Sequence, residues 1–197
     1  MVSRYTATVT DRLLTGAVGV YRRAGGRTES IYIAEAPGAF ELVAIASAAA
    51  RCGRFAGVLA LGCIVKGETR HDEYLAHAVT AGLCQISERV GVPVGLGVLT
   101  VNTPQQALDR VGGKHGHKGE EAMLALLATI AEVAAINDGD ALDEALASGV
   151  TLDRLMRPAP GGLDAPPDKL RKAERLQSEN GKSRPVRGRA AAKRSTR

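Results

Sequence analysis

The sequence predicts an α/β protein in which helices cover both faces of a parallel sheet. Two continuous apolar runs rich in branched residues, 57–65 and 92–101, are typical of strands buried on both faces. Each run is followed by a segment with apolar residues at helical spacing. Because strands that alternate with helices are joined by right-handed crossovers, we expect parallel pairing.

The predicted elements follow one another in the order that this class requires. They are helix 8–24, strand 31–34, helix 40–52, strand 57–65, helix 72–90, strand 92–101, helix 103–111 and helix 118–136. Ligands of open parallel sheets bind at the carboxyl ends of the strands. That rule points to three loops, at residues 35–41, 63–71 and 101–118.

Composition excludes several classes of protein. The chain of 197 residues is 45% hydrophobic and 24% charged, which is ordinary for a globular domain. Its apolar runs are far shorter than the roughly 18 residues of a membrane span, and its first residues lack the layout of a signal peptide. Cys52, Cys63 and Cys84 form no Cys-x-x-Cys pair, which argues against a disulfide framework or a zinc site. We expect a reduced, cytoplasmic protein.

The net charge of +5 belongs to the C-terminal segment. Residues 1–157 carry 15 Lys and Arg against 17 Asp and Glu, whereas residues 158–197 carry 11 against 4. The latter segment has almost no large apolar residue and cannot bury enough surface to fold. The predicted organisation is an α/β domain at 1–137, a partly helical extension at 138–157 and a disordered basic tail at 158–197.

The loop at 63–71 is the first candidate for chemistry. Gly67 permits a tight exit from the strand, and Thr69 with Asp72 resembles a capping box. The free amides near Glu68 and Thr69 would form an anion site at the helix N-terminus, with phosphate as its usual ligand. His71 would lie beside that anion. An ordinary capped helix with an exposed histidine explains the same pattern.

The loop at 101–118 places cations beside helix ends. Arg110 ends a short helix, and Lys118 begins the next helix, where a cation opposes the helix dipole. Such a local conflict indicates function, although a solvated basic turn explains it equally well. His115 and His117 have no nearby acidic or cysteine partner, so we expect no metal site.

The loop at 35–41 contributes an aromatic ring and a carboxylate. Phe40 could stack on a heterocycle at the carboxyl edge of the sheet. Glu41 could accept hydrogen bonds from ligand hydroxyls, but a stabilising effect on the helix N-terminus is the commoner reason for such a residue. Cys63, in the neighbouring loop, is more typical of a small core residue than of a nucleophile.

Four ordered motifs carry a resemblance to a known family. They are PGAFEL, GCIVKGETRHDEY, PVGLGVLTVNTPQQALDR and GHKGEEA. In this order the chain resembles the 6,7-dimethyl-8-ribityllumazine synthase family of riboflavin biosynthesis, over about two-thirds of its length. The resemblance implies a flavodoxin-like three-layer α/β/α sandwich with a mainly parallel, four-stranded sheet. Only Met1 and Val2 represent the family's first strand, which we expect to be missing, with the translation start lying upstream.

The resemblance also implies a reaction. The family condenses 5-amino-6-(D-ribitylamino)uracil with 3,4-dihydroxy-2-butanone 4-phosphate, releasing phosphate and water without a metal or an organic cofactor. Its sites lie between the subunits of a homopentamer, which could stay alone, pair into a decamer or close into a 60-subunit capsid. Such a reaction needs a proton carrier, a role that suits imidazole.

Position by position, the resemblance assigns roles. His71 transfers protons, while the backbone at Glu68 and Thr69 binds phosphate together with Arg110. A neighbouring subunit supplies Arg110, and with it Leu96 and Lys118. The residues implied to hold the pyrimidine and its ribityl chain are Tyr5, Ala39, Phe40, Glu41, Cys63, Ile64, Val65, Leu96 and Lys118. Tyr5 and Leu96 replace more usual aromatic residues, and His117 stands where the family often has Asn.

A second class of function fits the same chain. A self-assembling shell or scaffold of this fold, with little turnover, would explain the short first strand and the basic tail. With 11 basic residues and no aromatic residue, the tail would contact RNA or DNA weakly and without sequence preference. A solubilising appendage explains the tail equally well, and we expect no membrane contact.

Overall fold

The computed structural model describes residues 1–139, in which strands and helices alternate. In chain order the elements are β1 (Val2–Ser3), α1 (Ala7–Arg23), β2 (Glu35–Ala36), α2 (Glu41–Arg51), β3 (Val58–Val65), α3 (His71–Val90), β4 (Val94–Val101), α4 (Pro104–Leu108), β5 (Val111–Gly113), β6 (Gly116–His117) and α5 (Lys118–Asn137). The extension predicted at 138–157, after its first two residues, and the tail predicted at 158–197 lie outside the described residues.

Four strands form one sheet in the order β2-β1-β3-β4, and each neighbouring pair is parallel. β3 and β4 pair along their whole lengths, from Val58 with Val94 to Val65 with Val101. β5 and β6 form a separate antiparallel hairpin. The predicted α/β class with a four-stranded parallel sheet is confirmed.

Helices cover both faces of this sheet, which gives three layers. α1 and α5 enclose one core, in which Leu13, Leu61 and Leu126 are buried. α2 and α3 enclose the other, around Leu42 and Val79. Successive strand residues point to opposite faces and therefore alternate between the two cores. None of the helices between Met1 and Gly139 has both the length and the apolar character that a membrane crossing requires.

The strand expected to be missing is short but occupies the centre of the sheet. Val2 pairs with Glu35 on one side and with Leu61 on the other. The predicted strand at 31–34 is wrong, because β2 forms only at Glu35 and Ala36, where β1 provides partners. Strand pairing depends on both strands, so the apolar character of residues 31–34 did not determine where β2 forms.

The part of the chain around the third predicted loop also differs from the prediction. The helix predicted at 103–111 ends at Leu108, and Val111 belongs to β5 instead. The hairpin of β5 and β6 was not predicted. The hairpin uses left-handed backbone at Gly112, where the register of β5 is irregular, and at Gly116, the first residue of β6, with φ of 103° and 75°, which glycine adopts readily.

Candidate active site

The three loops predicted to carry chemistry follow strands that end at the same edge of the sheet. β2, β3 and β4 are parallel and end at Ala36, Val65 and Val101. The amide of Lys66 donates to the carbonyl of Val101 at 2.8 Å, which holds the start of the β3–α3 loop against β4. The topology therefore places these loops where parallel sheets bind ligands.

A cleft of about 730 Å³ opens between the β3–α3 loop, α3 and the end of β4. Glu68 and Thr69, predicted to bind phosphate through their amides, both line it. Sequence reasoning missed further polar lining residues, among them His77, Thr80, Thr100 and Asn102. His77 and Thr80 lie on one face of α3, three residues apart, a helical spacing that could have identified them.

The start of α3 differs from the predicted capping box. The helix begins at His71, and Arg70 occupies the cap position with no side-chain cap. Thr69 Oγ1 accepts only a long hydrogen bond, 3.5 Å, from the His71 amide, so the box with Asp72 does not form. Instead, Arg70 donates to both carboxylate oxygens of Glu73 at 3.0 and 3.2 Å.

His71 is exposed at the first position of α3, next to the loop that borders the cleft. Its side chain does not line the cleft within this chain. An exposed imidazole at this point can exchange protons with solvent and with a molecule bound at the helix N-terminus. This position suits a proton carrier.

Glu41 has a definite partner within its own loop. It is the first residue of α2, and its Oε2 accepts a hydrogen bond from the Gly38 amide at 3.0 Å. The carboxylate thus stabilises the turn before the helix. Phe40 beside it is 62% exposed, which leaves its ring open to stacking, whereas Ala39 is buried.

The end of β3 presents little side-chain surface to a ligand. Cys63 and Ile64 are both buried, one in each core. Burial raises the pKa of the Cys63 thiol, which disfavours the thiolate. Cys63 is therefore a core residue, and Val65, which packs against the same core, is only half-buried.

The hairpin brings Arg110 and Lys118 together although eight positions separate them. The amide of Lys118 donates to the carbonyl of Arg110 at 2.8 Å. Arg110 Nη1 donates to the Gln106 carbonyl at 2.9 Å, and Lys118 Nζ pairs with Glu121 Oε2 at 2.6 Å. The Glu121 pair offsets the unfavourable position of a cation at a helix N-terminus. Neither cation lines the cleft of its own chain.

Comparison with known proteins identifies the family. The family model described as 6,7-dimethyl-8-ribityllumazine synthase matches residues 1–134. A 6,7-dimethyl-8-ribityllumazine synthase of Nitratidesulfovibrio vulgaris (strain DSM 19637 / Miyazaki F) is 42% identical over 130 residues, which cover 66% of this chain and 83% of that protein. The chain belongs to the 6,7-dimethyl-8-ribityllumazine synthase family. The resemblance that the four motifs carried is thereby confirmed, and with it an enzyme family of riboflavin biosynthesis.

Of the residues that the lumazine synthase resemblance places in the site, only Glu68 and Thr69 line the cleft within one chain. Phe40 and Glu41 line a second pocket, together with residues of α2 and α3. Tyr5 and Leu96 lie outside both. Tyr5 is 87% exposed between β1 and α1. Leu96 is 48% exposed on β4, at the edge of the sheet and five residues before Val101. At the rise of a strand, Leu96 lies about 16 Å from the carboxyl edge. One lumazine synthase chain therefore does not bring Leu96 to the loop of Phe40.

The described part of this lumazine synthase family member contains no cluster of three His, Cys, Asp or Glu side chains placed to hold a metal ion. The ring of His117 interacts with the main chain: its Nδ1 accepts a hydrogen bond from the Glu120 amide at 3.4 Å. His115 lies on the exposed turn of the hairpin, with its amide bonded to the Asp109 carbonyl. The two histidines are thus parts of a structured turn.

Proposed function

We propose that this chain catalyses the condensation of 5-amino-6-(D-ribitylamino)uracil with 3,4-dihydroxy-2-butanone 4-phosphate to 6,7-dimethyl-8-ribityllumazine, with release of phosphate and water. The observation that carries the proposal is the cleft at the carboxyl edge, which Glu68 and Thr69 border at the N-terminus of α3. Membership of the lumazine synthase family supports this choice of reaction.

The phosphate of the butanone is held at the start of α3. Amides of Glu68 and Thr69 donate to its oxygens, and the helix dipole favours its negative charge. The Arg110 guanidinium adds a planar pair of donors, which matches two phosphate oxygens in a way that an ammonium does not. Arg110 is partly buried and anchored on Gln106, so its position is fixed before the substrate binds.

His71 carries protons. Addition of an amine to a ketone moves a proton from the nitrogen to the carbonyl oxygen, and a further proton on that oxygen lets it leave as water in the dehydration that follows. Elimination of phosphate needs a proton removed from carbon. A single imidazole can perform both transfers near neutral pH. The site otherwise acts by positioning two small molecules side by side, which by itself lowers the barrier by several kcal/mol.

The site is shared between subunits of a homopentamer. Tyr5, Ala39, Phe40 and Glu41 hold the pyrimidine and ribityl chain, together with the main chain at Cys63, Ile64 and Val65, because the side chains of Cys63 and Ile64 are buried. Leu96, Arg110 and Lys118 come from the adjoining subunit. The distance of Leu96 from the carboxyl edge supports this division. Native mass spectrometry distinguishes a pentamer from a decamer or a 60-subunit capsid.

Mixing the purified chain with both substrates tests the function directly. We expect lumazine fluorescence to rise together with one phosphate per product, and neither to appear when the phosphorylated ketone is omitted. Intact assembled particles that form no product would contradict the proposal. They would favour the alternative of a self-assembling shell or scaffold.

The basic segment 158–197 gives a second, separate proposal. Its 11 Lys and Arg against 4 Asp and Glu support weak, salt-sensitive contact with nucleic acid. We assign a lumazine synthase-like α/β domain to 1–137 and a partly helical extension to 138–157, in a cytoplasmic protein whose three cysteines are free. Deletion of 158–197 should abolish retention on RNA at low salt. Unchanged retention would leave a solubilising role.

A further inference from the structure

His117 caps α5 through its side chain. Its backbone is extended, with φ of −132° and ψ of 94°, and its Nδ1 accepts from the Glu120 amide three residues later. Asn, Asp, Ser and Thr ordinarily perform this function. An imidazole can perform it only while Nδ1 carries no proton, because an imidazolium has two donors and no acceptor.

The ring of His117 is held from the side of α1. A Cβ at Gly16 would overlap the ring and would lie 2.6 Å from Nδ1 and from Nε2. On another side, a Cβ at Gly112 of β5 would lie 3.7 Å from the ring carbon Cδ2. α1 and the hairpin thus leave a space shaped for a flat side chain, and His117 fills it.

The same residue joins the two cations of the proposed site. His117 pairs with Val111 across the hairpin, and these are the residues directly before Lys118 and directly after Arg110. The 2.8 Å hydrogen bond between Lys118 and Arg110 continues this pairing. A movement of His117 would therefore shift both cations together.

We infer that His117 is a positioning residue that holds Arg110 and Lys118 in place for the phosphorylated substrate, and that its protonation releases them. The inference rests on the proposed function, which assigns Arg110 to the phosphate. The charged groups on the surrounding elements are largely paired. Arg23 of α1 pairs with Glu120 at 3.1 Å, Lys118 pairs with Glu121, and Lys114 of the hairpin pairs with Asp109 at 3.3 Å.

Three forms of the full chain test the inference: wild type, His117→Ala and His117→Asn. We expect His117→Ala to raise the KM for the phosphorylated ketone about tenfold and to leave kcat within about threefold, because a positioning residue does not transfer protons. Asparagine offers an uncharged acceptor at the cap, so His117→Asn should restore the KM.

The pH profile separates positioning from a merely structural role. As the pH falls from about 8 to about 5.5, the range in which histidine titrates, the KM of wild type should rise more steeply than that of His117→Asn. Parallel profiles would overturn the inference. So would an unchanged KM in His117→Ala that is folded by circular dichroism.

Hydrogen exchange provides a second readout of the His117 cap, one that does not depend on enzyme activity. In His117→Ala, amides of the hairpin and of the first turn of α5 should exchange faster than in wild type, and His117→Asn should reverse this. If wild type forms no lumazine but exchange responds in this way, the proposed function fails while the cap stands. If wild type is active and exchange is unchanged in His117→Ala, the inference fails and the function stands.

Discussion

Gly119, the second residue of α5, lies directly against the backbone of Leu13 in α1. A Cβ at Gly119 would overlap the Leu13 carbonyl oxygen and would lie 2.8 Å from its Cα. Because Lys118 immediately precedes this contact, the packing of α1 on α5 also fixes the start of the helix that bears the cation. The contact between α1 and α5 therefore contributes both to the stability of the fold and to the position of Lys118 in the proposed site.

Gly119→Ala should destabilise the domain. Either α1 or α5 must move to admit the methyl group, which costs about 1–3 kcal/mol in a well-packed interior. Urea unfolding, followed by circular dichroism, measures the change. Gly67→Ala is the control, since among residues 1–139 only its own chain neighbours come within 4 Å of a Cβ at that position. Equal unfolding midpoints for the two variants would show that the helices can separate freely.

His71→Ala should slow turnover by about 100- to 1000-fold, the usual contribution of a single general acid–base group. Steady-state kinetics with both substrates saturating gives kcat. His115→Ala is the matched control, since His115 is exposed on the hairpin turn and has no proposed role in proton transfer. A His71→Ala variant that retains the kcat of wild type would remove His71 from the mechanism.

Arg110→Ala and Arg110→Lys should both weaken use of the phosphorylated ketone. We expect the KM to rise about 10- to 100-fold with alanine and less with lysine, which keeps the charge but loses the planar pair of donors. Arg12→Ala, which removes an exposed arginine on α1, controls for a general loss of positive charge. Identical KM values for the three variants would contradict the phosphate role.

Cys63→Ala should keep kcat within about threefold of wild type. The thiol is buried and its pKa is raised, so the thiolate that a nucleophile requires is disfavoured. In the native protein, Cys63 should also react with iodoacetamide much more slowly than after unfolding. Mass spectrometry of the alkylated peptides measures this ratio. A kcat reduced a hundredfold in a folded variant would point to covalent catalysis.

Thr10 and Ser3 offer a contrast in buried polar groups. Thr10 Oγ1 donates to the Ser3 carbonyl at 2.7 Å in a buried position, whereas the Ser3 hydroxyl has no partner within the described residues. Thr10→Val should therefore cost about 1–2 kcal/mol of unfolding free energy, and Ser3→Ala should be neutral or stabilising. Thermal unfolding of both variants tests the order, and a greater loss in Ser3→Ala would contradict it.

The spacing of apolar residues within a segment identified the strands and helices whose burial is visible in their own sequence. The runs 57–65 and 92–101 became β3 and β4 almost unchanged, and the two long helices after them begin within a residue of the prediction. Apolar spacing depends only on which face each element buries, so it can be read without knowing the partner. Phe40, Glu68 and Thr69 were placed at the carboxyl edge for the same reason.

Features that depend on a distant partner could not be read in this way. β2 begins at Glu35 because β1 pairs there, and Arg70 turns to Glu73 and not to a capping box. His77 and Thr100 face one cleft only because α3 packs beside β4. Each of these depends on two segments that meet after folding.

The sequence by itself determined the fold class, the order of the buried elements and the motifs of the family, since these follow from side-chain periodicity and residue type. The tertiary structure decided that β1 lies between β2 and β3, that Leu96 is far from Phe40's loop, and that Gly16 of α1 accommodates the ring of His117. The reason is physical: hydrogen-bonded ladders and close contacts are properties of pairs of segments, and no single segment specifies its partner.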